Sequence, residues 1–270
     1  LRRVHENTQV KAAETVTLPV LLGVLILILW ETGILHKILH TDTFTLPLPD
    51  RILMIMADNA GKITANAGAT VAVAVIGLTA GSVIGYGIAV LAALFRKWGT
   101  SGMGIVAACN AIPIVALAPV MTNWTKDVSR DASIRSMAAK ILVVTIVSIA
   151  NMSFNAFRGL TELKPFSEDL MTSYAATKRE TLIRLRIPNS VPYIFTALRV
   201  AVPSSVISAL VSEYFAEYII GVGRQIRENI VLAQYSSAWA YIVAACLIGI
   251  ILYGILMIVE GVVLKKHAKA

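Results

Sequence analysis

Charge is scarce in this sequence. Only 15% of its 270 residues are Asp, Glu, Lys or Arg, against roughly a quarter in soluble domains. Cysteine is nearly absent, and Cys109 and Cys246 both fall inside apolar runs, so no disulfide framework or metal cluster is indicated. No G-x-x-x-x-G-K-[ST] loop and no H-E-x-x-H motif occurs, so neither nucleotide hydrolysis nor zinc hydrolysis is encoded in its usual form. The four histidines, His5, His36, His40 and His267, lie outside the apolar runs and form no catalytic or metal set with Ser, Cys or paired carboxylates. The chain therefore reads as non-enzymatic, with no metal or cofactor of its own.

What is abundant is hydrophobic sequence, 57% of the chain, gathered into runs of the roughly 20 residues needed to cross a bilayer. The reading is a single all-α, polytopic membrane domain over residues 1–270. Six spans are expected, near 15–35, 66–94, 102–122, 137–157, 191–216 and 237–262. The first run also fits a signal peptide, but no small-x-small cleavage site follows and Trp30 stands where an interfacial anchor would. Basic residues set the orientation. Fourteen fall in the segments on the side of the N-terminus and eight on the other, which places both termini and the 158–190 loop in the cytoplasm. That distribution explains the net charge of +8 through the lipid bilayer, without nucleic acid.

The 158–190 loop is longer than a helix connection requires, and its local chemistry reads as a helical hairpin. Pro165 suits the first turn of a helix, followed by Glu168 and Asp169 at the positive end of its macrodipole. Phe166, Leu170 and Tyr174 then fall on one face. Ala175 and Ala176 form a small joint. Thr177 and Glu180 supply a capping box for a second helix, which Pro188 is expected to stop.

The same segment resembles the "EAA" loop of ATP-binding-cassette importer permeases of the binding-protein-dependent, type I class. The family pattern is Glu-Ala-Ala, three residues, Gly, nine residues, then Ile-x-Leu-Pro. With Leu185-Arg186-Ile187-Pro188 as the anchor, Ala175 stands at the Gly position and Asp169-Leu170-Met171 replaces Glu-Ala-Ala. Other stretches are similar to the nitrate/sulfonate/taurine group in the same order: "LPLPDRIL" (46–53), "NAIPIVALAPV" (110–120), and Asn155 with Gly159-Leu160. The resemblance implies a multi-pass permease of a bacterial inner membrane. It further implies two ATPase subunits that bind ATP and Mg, a second permease copy or related chain, and an external binding protein that delivers solute. Asp169, Tyr174, Ala175, Ala176, Thr177, Lys178 and Arg179 would meet the ATPase.

Pathway candidates are Asn110, Pro113, Asn151 and Asn155, with Glu213 and Glu217 near the outer end of the fifth span. Helix–helix hydrogen bonding is the competing reading for the asparagines, and a membrane-edge position for the glutamates. Lys140 and Arg199 also lie within spans, and Arg199 is expected to snorkel toward the cytoplasm. The glycine-rich "GLTAGSVIGYG" (77–87) reads as a packing feature. Residues 46–62 read as an interfacial amphipathic helix. "SSVISALVSEYF" (204–215) and "AWAYIVAACLIGIILYG" (238–254) resemble permeases for riboflavin or thiamine-type pyrimidine precursors. Sulfonates, nitrate and other small organic anions are the alternative substrates. A channel-like or scaffolding subunit without an ATPase is the alternative class, and the capped hairpin speaks against it.

Overall fold

The computed structural model describes residues 8–109, 111–216, 218 and 220–267, and every regular element among them is helical. Four helices are long and apolar enough to cross a membrane: α4 (Ala60–Leu94), α7 (Ala132–Thr161), the continuous helix Lys178–Tyr214, and α12 (Tyr235–His267). The first and third expected spans are shorter pieces. The first is α1 (Thr8–Glu31), apolar from Thr17, followed by the short α2 (Ile34–Leu39). The third is divided into α5 (Arg96–Cys109) and α6 (Ile114–Trp124). Pro113 stands in extended backbone at the N-cap of α6. Its missing N–H and its bias against helix in the preceding residue break the helix there.

The bundle is organised around α4 and α7, which share its largest interface. Gly77, Gly81 and Gly85 recur every four residues along one face of α4. A Cβ on Gly77 would lie 2.5 Å from Val144 Cβ, and one on Gly81 would lie 2.5 Å from both Ser148 Cβ and the Thr145 carbonyl. These glycines therefore let the two backbones approach closely, as small-residue stripes do in membranes. Ala89, Ala93, Met152, Ala156, Leu160 and Ala197 continue the packing toward the 162–181 hairpin, joining α4 and α7 to α10 (Ile187–Tyr214).

At the opposite end lie α3 (Pro49–Asp58) and α11 (Val222–Val231). α3 begins with Pro49, buries Ile52 and leaves Leu53 and Met54 exposed. α1 stays at the periphery, with Leu18, Leu21 and Leu22 exposed. It is held at its end by Trp30, which donates to the Pro47 carbonyl (3.0 Å) and meets Trp239 edge-on. Arg199 does not snorkel freely. It makes a two-pronged ion pair with Glu260 of α12 (2.6 and 2.9 Å), and two charges in neighbouring spans neutralise each other more cheaply than one stretching alone.

Candidate functional site: a capped hairpin and a buried outer cluster

The hairpin leaves α7 through a sealed end. Asn189 donates to the carbonyls of Gly159 (2.7 Å) and Glu162 (3.1 Å), satisfying acceptors that a helix C-terminus leaves free. Arg158 grips Glu162 with two bonds (2.9 and 3.2 Å) and holds that carboxyl below its usual range. Pro165 then stands in a turn ahead of the helix rather than in its first turn. Phe166 is the N-cap residue, in left-handed backbone (φ 63°), and α8 runs over Ser167–Ser173. This turn reverses the chain, and the helix starts only after it.

Phe166, Leu170 and Tyr174 are exposed by 82%, 58% and 78%. They form an apolar stripe along α8 with Asp169 beside it, also exposed. The joint is a Schellman closure: Ala176 N–H bonds to Met171 O (3.0 Å) and Ala175 N–H to Thr172 O (2.9 Å). Such closures place the residue past the helix end in left-handed backbone, and Ala175 adopts φ 54°. This is the position at which the resembling family has glycine. Alanine holds the same conformation at a steric cost of about 1–2 kcal/mol.

Thr177 and Glu180 form the expected capping box, with Thr177 N–H to Glu180 Oε2 at 2.8 Å and Glu180 N–H to Thr177 Oγ1 at 3.3 Å. Lys178 and Arg179 open α9 (Lys178–Thr181) and are exposed. Pro188 does not stop this helix. A π-turn over Leu182–Arg186 links α9 to α10, with Ile187 N–H bonding to Leu182 O, five residues back. The wider turn removes the need for a Pro188 N–H and relieves its ring against the preceding turn, so one helix runs from the hairpin through the membrane.

The pathway candidates fall in several elements. Asn110 and Glu217 lie outside the described residues. Pro113 sits at the break in the third span. Asn151 and Asn155 are half-buried one turn apart on α7, and Asn155 Nδ2 bonds to the Asn151 carbonyl (3.0 Å). Glu213 is fully buried. Its Oε2 accepts from Thr70 Oγ1 (3.0 Å) and from Gly223 N–H (2.9 Å), while Val222 N–H bonds to Thr70 Oγ1 and Gly221 N–H to Asn66 Oδ1 (both 2.9 Å). The Glu213 carboxyl thus sits at the N-terminus of α11, where it, Thr70 and Asn66 satisfy amides that the helix itself leaves without partners. Lys140, also buried, donates to Ile220 O (2.9 Å) and lies within electrostatic reach of Glu213. Gly221, at φ 116°, has no room for a Cβ because the Glu213 carboxyl fills that space.

Sequence reasoning missed Thr70 as the partner of Glu213, and Asn66 and Lys140 as the side chains that hold the Gly221 N–H and the Ile220 carbonyl beside it, although a lysine within an apolar span signals a buried polar partner. It also missed that Glu168 pairs with Arg186 (2.6 Å), eighteen positions away across the hairpin.

Known proteins supply the setting for this geometry. The family model "Binding-protein-dependent transport system inner membrane component" matches residues 81–265. The formylaminopyrimidine transport permease protein ThiX of Halalkalibacterium halodurans is 26% identical over 252 residues, covering 93% of this chain and 96% of that protein. A probable ABC transporter permease protein of Haemophilus influenzae is 23% identical over 194 residues, or 72% and 75% of the two chains. Two solved structures share the fold. One is the inward-facing MetNI methionine ABC transporter (TM-score 0.65, 16% identity, 77% of this chain and 97% of that chain). The other is an amino acid ABC transporter crystallised with histidines (TM-score 0.57, 17% identity, 76% and 95%).

Proposed function

Because the chain belongs to the family of binding-protein-dependent transport system inner membrane components, we propose that its hairpin is where a cytoplasmic ATPase drives it. The chain is the permease subunit of an ABC importer, a multi-pass protein of the bacterial inner membrane. In the proposed assembly two ATPase subunits, carrying ATP and Mg, receive α8 and the α8–α9 joint. A second permease copy or a related chain completes the membrane part, and an external binding protein delivers solute to the α3–α11 side.

The observation that carries this reading is the stripe Phe166, Leu170 and Tyr174, exposed on a helix that ends in a hydrogen-bonded Schellman closure followed directly by a capping box. A rigid helix offering aromatic side chains loses little conformational entropy on docking, and such a surface on a loop outside the spans calls for a partner. ATP binding would favour one arrangement of the assembly and hydrolysis would release it.

For the solute, the likeness to a formylaminopyrimidine permease over nearly the whole chain supports a thiamine-type pyrimidine precursor over riboflavin, sulfonates or nitrate. The test is co-purification from membranes in mild detergent, with bound proteins identified by mass spectrometry. An ATPase should accompany the wild type and be lost when Tyr174→Asp, Ala175→Asp and Ala176→Asp are combined, while the variant stays in the membrane. An ATPase retained by the variant, or absent from both, refutes the docking role. Uptake of labelled formylaminopyrimidine by cells expressing the complete system tests the solute, and failure of excess unlabelled compound to compete refutes it.

A further inference from the structure

α8 makes no extensive packing contact with any other helix among the described residues. Between it and the inner end of α4 lies a cavity of about 300 Å³, lined by Glu168 and Thr172 on one side and Ala93 and Leu94 on the other. A docking helix set across such a cleft has few side-chain contacts through which to push a membrane helix, because a gap forfeits the contacts that would carry the force. One side chain lining this cavity bonds to both sides. Arg186 Nη2 bonds to Glu168 Oε1 of α8 at 2.6 Å, and Arg186 Nη1 bonds to the Ala93 carbonyl of α4 at 3.2 Å. The Arg186 side chain is mostly buried, 17% exposed.

We infer that Arg186 is the positioning residue that makes α8 and the inner end of α4 move as one body, an inference that rests on α8 being the ATPase-docking element. The guanidinium suits the task because its planar fork offers two donors in fixed directions, which a lysine ammonium does not. Its partner on α4 is one of the carbonyls that a helix C-terminus leaves unpaired, where positive charge is also favoured by the macrodipole. Its partner on α8 is ionised, so that bond is charge-assisted and the stronger of the two. Arg186 itself lies in the π-turn, so the fork also ties both helices to the base of α10. The three cytoplasmic ends, of α4, α8 and α10, meet at this one side chain.

The experiment is a spin-label distance measurement on the purified permease with whatever ATPase accompanies it. Labels are carried by Thr172→Cys on α8 and Val83→Cys on the exposed side of α4, in a background of Cys109→Ser and Cys246→Ser. With Arg186 present, the distance distribution should be narrow and the same without nucleotide and with ATP plus vanadate. Arg186→Gln should widen it at least two-fold and make its mean depend on nucleotide, because α8 would follow the ATPase while α4 stays behind. Arg186→Lys should give an intermediate result. Glu168→Gln should change the distribution in the same direction and less.

A wild-type distribution in both Arg186→Gln and Glu168→Gln, in either nucleotide state, overturns the inference. If Arg186→Gln does not reach the membrane, Glu168→Gln decides alone, since it alters only a half-exposed side chain. If no ATPase accompanies the wild type, the docking role has failed separately. The width without nucleotide then still decides whether Arg186 joins the two helices.

Discussion

The two ends of the long helix Lys178–Tyr214 are built on opposite plans. At the outer end, Glu213 is enclosed by Thr70, Gly221 and Gly223, with Lys140 nearby, and buried hydrogen bonds lock α4, α7, α10 and the start of α11 together. At the inner end a capping box, a Schellman closure and the Arg158–Glu162 ion pair are local and exposed, and a few longer bonds, chiefly those of Arg186, tie the hairpin to the bundle. The outer design places α11 firmly against the membrane helices. The inner design keeps a small hairpin rigid within itself while joining it to the bundle at few points. A piece that must be gripped by a partner and moved needs internal stiffness more than extensive attachment, since local stability can differ widely across one structure.

This contrast sets an order of expected effects. Glu213→Ala would leave the buried Gly223 N–H without its acceptor, a loss that costs about 1–3 kcal/mol for an unsatisfied buried group, and would leave a cavity where the side chain was. Thermal unfolding in detergent should show the largest drop of any substitution at either end, together with loss of protection at the Val222 and Gly223 amides. Destabilisation no greater than that of an exposed substitution would mean that the outer cluster does not anchor α11.

Thr177→Ala should be milder. Removing an N-cap hydroxyl costs about 1 kcal/mol, and the loss should appear as faster hydrogen exchange confined to the start of α9, with global unfolding hardly changed. Exchange that also rises around α11 would show that the two ends are coupled rather than independent.

The smallest effect runs the other way. Ala175→Gly relieves the left-handed strain at the joint but loosens the unfolded chain, for a net gain of about 1 kcal/mol. Slower exchange at the Ala176 amide is the expected sign, and faster exchange would mean that the closure does not depend on that φ.

How much of this is legible in the sequence follows the range of the bonds. The Thr177–Glu180 box is legible because its two residues are three apart and their chemistry is self-contained. The left-handed joint is legible as a family glycine position, although alanine holds it. Pro188 reads as a stop because the general rule concerns an α-helical turn, whereas here the chain re-pairs five residues back and absorbs the ring. The Glu213 cluster lies beyond local reasoning. Thr70 lies 143 positions from it and bridges to Val222, 152 positions along the chain. Glu213 and Lys140 each announce only that a buried partner exists, and the fold alone determines which.

The π-turn at Leu182–Arg186 also sets the angle at which the hairpin faces its surroundings. One residue advances an α-helix by about 100° and 1.5 Å. A helix that accommodates an extra residue therefore presents everything beyond that point from a different side than an unbroken helix would. Deleting a single residue from this turn would leave the caps and the aromatic stripe intact in sequence. It would also swing them by more than a quarter of a circle about the axis of α10 and draw them toward the lipid. The length of that turn thus specifies the compass bearing of the proposed ATPase-facing surface, separately from the surface itself.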